Sequence, residues 1–475
     1  MLMHGRTTAD LSLRKNDHKR KSGKALFKDH DLGIRIAKAI HFITVIVLFT
    51  VCRCMFFCPG IGISTLREQA PSVILFTISA FALIRVLNAY PIGLLEIREI
   101  ITAQQLVLFL SLSLIGLLDL LESGFSARAA AFLGVDLALT FAWNVIWSLA
   151  ADHLYQKYIP RKAAVFVCAD PSALDRLKTA FSAASCFRIE KTITADPTSS
   201  MEALADALLP YHAVLTAGLP HRLQNALVEY CTCSGKECFL LPCVGDIVLA
   251  CAMPMQSLNV LAYRASLPAG KPEYLLMKRV FDILLSVCAV AVTCPIMLLC
   301  ALIIHLNDGG PVIYRQQRLT RHGRVFWLYK FRTMRTDAEA DGVARLSVRN
   351  DARVTRVGKW MRATKIDELP QFFNIIKGNM SIVGPRPERP EIARQYQNRI
   401  PNFYLRLNVK AGLTGYAQVY GKYSTDPYSK LCMDLFYISR QSLSLDLKLI
   451  FRTLSIPFIR EKSSGIEDET EKPHA

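Results

Sequence analysis

The sequence predicts a three-part chain: an α-helical membrane bundle, a small parallel α/β domain, and a basic α+β domain carried on a further apolar helix. Three observations carry this. Four apolar runs, each near the roughly twenty residues that cross a bilayer, crowd the first third of the chain. Between residues 161 and 265, short β-rich runs alternate with helical stretches. From Asn307 to Lys462 there are 28 Lys and Arg against 13 Asp and Glu, so this region carries +15 of a net charge of +18. Its partners are expected to be anionic: phosphates, nucleotides or the surface of the cytoplasmic leaflet.

Residues 1–31 read as a basic, flexible cytoplasmic arm, unlike the short charged start of a signal peptide. Residues 32–155 read as a four-span bundle, with apolar runs near Ile34–Phe57, Val73–Ala89, Ile100–Leu121 and Ala129–Ala151. Basic residues precede the first run, and Lys157, Arg161 and Lys162 follow the fourth. The positive-inside rule therefore puts both ends in the cytoplasm. Charged residues inside the spans are few; Arg85 and Asp136 stand out, and both look isolated, which argues against a transporter.

The α/β domain, residues 161–265, has strands at AAVFVCA, FRIEKTITA, YHAVLTAG and CFLLPCV. Its first strand-to-helix turn, CADPSALDRL, lacks the glycine pattern that lets a pyrophosphate approach a helix start, so dinucleotide binding is not supported. The chain has fourteen cysteines, many inside apolar runs where Cys behaves as a small hydrophobe. The spacing of Cys231, Cys233, Cys238 and Cys243 matches no paired zinc pattern.

The third part, residues 274–462, opens with an apolar helix over 280–306 that holds Pro295 in its middle. Basic residues flank both of its ends: Lys278 and Arg279 before, Arg315, Arg318, Arg321 and Arg324 after. A proline-broken helix that dips into the membrane and returns to the same face fits that distribution better than a fifth span. Short strands follow at 310–314 and 326–334. Leu407–Tyr420 reads as strand, glycine turn and strand, Tyr428–Ser439 and Leu443–Ile459 read as helices, and 463–475 is an acidic tail. No nucleic-acid-binding motif accompanies the basic surplus.

The stretch that draws most attention is Arg362–Glu388, RATKIDELPQFFNIIKGNMSIVGPRPE. Adjacent carboxylates, Asp367 and Glu368, precede Pro370, and an apolar helical run is closed by Gly378. With Asp367 near the N-cap, Pro370 falls in the first helical turn, where its missing N–H costs nothing. Both carboxylates would then face the positive end of a helix dipole. Beside Arg362, Lys365 and Arg386 they suit metal-assisted chemistry on a phosphate. On spacing alone, a capped surface helix explains them equally well.

The third part closely resembles the bacterial sugar transferases, monotopic phosphoglycosyl transferases that load a sugar phosphate onto a membrane polyprenyl phosphate. The resembling blocks are KRVFDILLS at 278, GPVIYRQQRLTRHGRVFWLYKFRTM at 310, DARVTRVGKWMRATKIDELPQFFNIIKGNMSIVGPRPE at 351 and KAGLTGYAQVYGK at 410. The whole chain resembles the larger subclass, in which a four-span bundle and a Rossmann-like domain precede the catalytic module. That resemblance implies transfer of hexose-1-phosphate from a UDP-sugar to undecaprenyl phosphate, with Mg²⁺ present and UMP released, at the start of capsule or exopolysaccharide synthesis. It implies Asp367 as a nucleophile that forms a covalent phosphosugar, with Glu368 assisting the metal or the proton. Arg362, Arg386, Lys330, Arg332 and Arg353 are the expected phosphate ligands, although Arg353 could equally face lipid headgroups. Expected partners are membrane lipids, downstream glycosyltransferases and a second copy of the chain, but no nucleic acid; the expected location is the inner membrane, with the catalytic domain on its cytoplasmic face. Lys365-Ile366 departs from the Ser-Leu of many members, which touches donor preference rather than the carboxylate pair.

Overall fold

The computed structural model describes residues 9–454 apart from 58–62, 88, 91, 93–95, 125, 182–185, 197–198, 200, 256–261, 266, 268–269, 309, 335–352 and 422–424. The acidic tail and the expected helical residues 455–459 lie outside the described residues. The chain forms two compact units, Met1–Leu241 and Pro242–Ala475.

The first unit begins with four long helices: α1 (Ala9–Phe57), α2 (Ile63–Leu87), α3 (Ile97–Ser123) and α4 (Ala127–Tyr158). The basic segment read as a flexible arm is helical from Ala9 and continuous with the first apolar run. Leu32–Phe57, Arg67–Leu87, Ile97–Glu122 and Ala127–Tyr158 are each long and apolar enough to cross a membrane. Along α1, Ile36, Ile40, Ile43, Val47 and Val51 stay exposed at helical spacing, while Val45, Phe49 and Cys52 are buried. Phe49 stacks on Phe76 of α2 at 4.0 Å between ring centroids and meets Phe132 of α4 edge-on.

A four-stranded parallel sheet follows, built from β1 (Lys162–Cys168), β2 (Phe187–Thr194), β3 (Ala213–Ala217) and β4 (Glu237–Leu241) in the order β2-β1-β3-β4. Helix α5 (Pro171–Ala180) packs on one face; α6 (Met201–Leu208) and α7 (His221–Ser234) pack on the other. The central strands are apolar on both faces because helices cover both. Asp170 caps α5, its carboxylate accepting from the Ala173 N–H, and Gly235 ends α7 in the left-handed region. The strands and helices stand where the sequence put them.

The second unit starts with α8 (Val244–Leu249), which the sequence reading placed in the α/β domain. Its Ile247 instead enters the core formed with Leu431, Leu435 and Val419. After a hairpin of β5 (Met253–Met255) and β6 (Ala262–Arg264) comes α9 (Pro272–Asp308), a helix of 37 residues with Pro295 inside. Then come an antiparallel hairpin, β7 (Ile313–Leu319) with β8 (Val325–Phe331), and helices α10 (Arg356–Thr364) and α11 (Gln371–Lys377). The remainder is β9 (Met380–Val383), α12 (Pro390–Arg399), β10 (Ala411–Thr414), α13 (Tyr416–Tyr420), α14 (Pro427–Ser439) and α15 (Leu443–Thr453). Strands β9 and β10 pair in parallel, and Gly384 and Gly412 let the two backbones approach where any Cβ would collide. The second strand expected before Tyr420 is helix α13: Tyr416 and Tyr420, four residues apart, pack at 4.5 Å, and Val419 turns into the core.

Polar anchors fix the start of α9 to this body. Lys278 pairs with Asp446 at 2.8 Å, and the hydroxyls of Tyr274 and Tyr437 donate to the same carboxylate. Arg279 donates to the carbonyls of Ile375 and Ile376 at the end of α11, satisfying acceptors that a helix end leaves open. Asp282 accepts from the Ile382 N–H of β9 at 3.0 Å. Further along, Cys300 and Ile304 pack with Phe331 and Met361 of the same body, while Leu284, Val292, Leu298 and Leu302 stay exposed.

Candidate active site

Asp367 and Glu368 lie in a single 3-10 turn, Ile366–Glu368, between α10 and α11. The sequence reading put Asp367 at the N-cap of the following helix. That position belongs to Pro370, and Gly378 closes the helix in the left-handed region as expected. The extra turn arises because Lys365 takes a left-handed conformation (φ 60°), which ends α10 and redirects the chain. For a non-glycine residue that conformation costs about 1 kcal/mol or more. The carboxylates are thus presented by a tight turn, not by a helix dipole.

Glu368 is the anchored member. Its Oε1 accepts from Lys330 Nζ at 2.8 Å and from Arg386 Nη2 at 2.9 Å, with the side chain largely buried. Burial pushes its acidity toward the neutral form, but Lys330, Arg386 and Lys365 outweigh that and hold it well below the usual carboxylate range. Asp367 is only 7% exposed, and its Oδ1 has no hydrogen-bond partner among the described residues. Burial, then the charge of Glu368, pushes its pKa up, while Lys330, Lys365 and Arg362 pull it down. One carboxylate is held by its cations; the other is buried with one oxygen not engaged in a hydrogen bond.

Each cation has its own support. Asn374 of α11 accepts from the Tyr329 N–H at 2.9 Å and donates to the Trp327 carbonyl at 2.7 Å, riveting α11 to β8 and so setting Lys330 beside Glu368. Arg362 of α10 donates from Nε to the Thr333 hydroxyl at 2.9 Å. The turn from Gly384 to Glu388 is held by two arginines, one half-buried and one buried: Arg318 donates to the Pro387 carbonyl and Arg406 to the Arg386 carbonyl. Arg406 is itself paired with Asp434 at 2.7 Å. Flanked by prolines and tied through its carbonyl, Arg386 has its direction toward Glu368 set.

The structure gathers Asp367, Glu368, Lys330, Arg362 and Arg386 as the sequence reading grouped them. Arg332 is nearly buried, its guanidinium packed where a Cβ on Gly310 would collide with it. Arg353 sits in a turn directly before Val354, which bridges Met334. The residues that sequence reasoning missed are the supports Asn374, Arg318 and Arg406; nothing marks them among so many polar and basic residues. Lys365, which the sequence places beside the pair with Arg362 and Arg386, acts electrostatically on both carboxylates.

Among the described residues, no three His, Cys, Asp or Glu side chains converge on a point that could hold a metal, Cys231, Cys233, Cys238 and Cys243 included. A divalent ion here would therefore draw part of its shell from a substrate. The open Oδ1 of Asp367 next to a second carboxylate suits Mg²⁺, which commonly takes one or two carboxylates and completes its shell with water and phosphate oxygens. Four cations around two carboxylates leave a net positive cluster, complementary in charge to a phosphate or diphosphate.

Residues 273–460 match the family model described as bacterial sugar transferase. Over 197 residues the chain is 38% identical to an exopolysaccharide production protein PSS of Rhizobium leguminosarum bv. phaseoli, covering 98% of that protein and 40% of this chain. The chain belongs to the bacterial sugar transferase family. It is also 42% identical over 186 residues to a UDP-N-acetylgalactosamine-undecaprenyl-phosphate N-acetylgalactosaminephosphotransferase of Aeromonas hydrophila, covering 38% of this chain and 44% of that protein. To a UDP-glucose:undecaprenyl-phosphate glucose-1-phosphate transferase of Klebsiella pneumoniae it is 41% identical over 194 residues, covering 40% of this chain and 42% of that protein. The matched region thus spans less than half the length of these two relatives. In this bacterial sugar transferase it contains the carboxylate pair and all the cations around it.

The opposing pulls on Asp367 give a testable pH dependence. A carboxylate acts as a nucleophile only in its ionised form, and Lys365 favours that form of Asp367. Lys365→Ser should raise the Asp367 pKa further and move the acid limb of kcat/KM for nucleotide release to higher pH. An unmoved limb would show that Lys365 does not set the ionisation of Asp367.

Proposed function

We propose that this chain transfers hexose-1-phosphate from a UDP-sugar to undecaprenyl phosphate. The observation that carries the reading is the asymmetry of the pair: Glu368 pinned by Lys330 and Arg386, and Asp367 buried with a free oxygen. An Asp367 oxygen attacks the phosphorus that bears the sugar. The bond from that phosphorus to the bridging oxygen breaks, and UMP departs with that oxygen. A phosphate oxygen of undecaprenyl phosphate then attacks the same phosphorus and expels Asp367, giving undecaprenyl-diphospho-sugar. Arg362, Lys330 and Arg386 neutralise the phosphate oxygens, so that a carboxylate can approach an anionic centre. Mg²⁺, when bound, would supply Lewis-acid stabilisation of the same oxygens. The product would feed exopolysaccharide or capsule synthesis through downstream glycosyltransferases.

The reading places the catalytic body on the cytoplasmic face of the inner membrane, with α9 entering the bilayer and returning to the same face. Its support is that Arg279 and Asp282, near the start of α9, and Cys300 and Ile304, beyond Pro295, all contact the same α+β body of the second unit. A single cysteine placed in Arg315–Arg324 should be labelled only from the cytoplasmic side in intact cells. Labelling from outside would make α9 a fifth span.

The activity itself is tested with purified chain, undecaprenyl phosphate and a panel of UDP-hexoses and UDP-N-acetylhexosamines. UMP should appear with at least one donor, and only when Mg²⁺ is supplied. UMP release from no member of the panel would overturn the proposal.

A further inference from the structure

The bundle core is far more polar than the isolated Asp136 of the sequence suggests. Along α4, Asp136, Thr140, Asn144 and Ser148 form a stripe at four-residue spacing, and all are buried. Asn144 donates to Gln105 of α3 at 3.2 Å and accepts from His41 Nε2 of α1 at 3.0 Å; Ser148 donates to Gln104 at 3.2 Å. Lower on the same core, Arg53 of α1 makes two hydrogen bonds to the Asp119 carboxylate, at 2.6 and 2.8 Å. Between these two paired layers lies Asp136, fully enclosed, and among the described residues neither of its carboxylate oxygens has a nitrogen or oxygen donor. The Cys52 thiol of α1 is its one hydrogen-bonding neighbour among the described residues, and a thiol is a weak donor. Gln105 meets Asn144, and Gly116 meets Leu133, so the antiparallel register of α3 and α4 sets Ser111 opposite the turn from Asp136 to Thr140. Ser111 is also fully buried, and its hydroxyl has no partner either.

An ionised carboxylate without a partner is among the costliest groups to enclose in apolar surroundings, and more so inside a bilayer. Arg53 is already committed to Asp119, and of the other titratable groups on the helices packed against α4, His41 is engaged by Asn144 and Tyr90. We propose that Asp136, with Ser111 and the Thr140 hydroxyl, forms a membrane-embedded site for a small monovalent cation, a proton or sodium. Thr140 donates to the Asp136 carbonyl, which leaves its oxygen lone pairs available to a cation. This site is independent of the phosphate chemistry at Asp367.

The test uses the full chain in lipid nanodiscs with ¹³C-labelled aspartate. In sodium-free buffer at neutral pH, the infrared spectrum should contain a protonated-carboxyl band that Asp136→Asn removes. Sodium chloride is then compared with choline chloride at equal ionic strength. If sodium is the resident ion, it bleaches that band and raises Tm in the parent chain but not in Asp136→Asn; if the proton is, the band persists and Tm is unchanged. Ser111→Ala, which keeps the carboxylate, should shift the band or weaken the sodium effect, and it serves if Asp136→Asn does not fold. Identical spectra in the protonated-carboxyl region for parent and both variants, with no sodium-specific change in Tm, would overturn the site.

Discussion

Asp367→Asn should abolish UMP release, by at least about 10³-fold, from whichever UDP-sugar the parent chain accepts. The substitution is nearly isosteric, and Asp367 Oδ1 has no hydrogen bond to lose, so the protein should fold and enter the membrane as before. The amide cannot attack phosphorus usefully or form an acyl phosphate. Donor binding should survive, because the cations that hold the phosphates are anchored elsewhere: Lys330 on Glu368, Arg362 on Thr333 and Arg386 on the braced turn. UMP release measured on purified, membrane-reconstituted variant decides it. Retained donor binding with lost turnover separates a missing nucleophile from a collapsed site.

Glu368→Gln is the second large effect, a fall in kcat of roughly 10²-fold. Glu368 holds Lys330 and Arg386 through one oxygen. An amide oxygen in its place can still accept both hydrogen bonds but no longer carries charge. The two cations lose the charge that fixes them, and the positive cluster keeps only Asp367 as a compensating carboxylate. The same change removes a charge that raises the Asp367 pKa. The acid limb of kcat/KM should therefore move to lower pH even as kcat falls, opposite in direction to the Lys365→Ser shift. A fall in rate with an upward or absent shift would mean that Glu368 supports the fold rather than tuning its neighbour.

Much of this was legible in the chain because the relevant signals are local. The apolar runs, the alternation of strand and helix between Lys162 and Leu241, and the grouping of Asp367, Glu368, Arg362 and Arg386 follow from periodicity and adjacency. What escaped depends on long-range contact. Nothing near Asn374 says that it will rivet β8, and nothing near Arg406 says that it will brace a turn twenty residues earlier through the Arg386 carbonyl. The position of Asp367 in a 3-10 turn depends on the left-handed Lys365, a conformation that propensity does not foretell for lysine. Helix α8 left the α/β domain because the partner of Ile247 is α14, almost two hundred residues away. Asp136 looked isolated because its polar neighbours are contributed by other helices.

The central claim is that Asp367 becomes covalently attached to the sugar phosphate. The most direct measurement is intact-protein mass spectrometry after incubation with an accepted UDP-sugar and Mg²⁺, with undecaprenyl phosphate withheld. The account predicts a mass gain of one sugar phosphate with release of one equivalent of UMP, mapped by peptide sequencing to Asp367 and cleared when the lipid phosphate is added. UMP release that requires the lipid, with no adduct at any time, or an adduct that persists in Asp367→Asn, would contradict it.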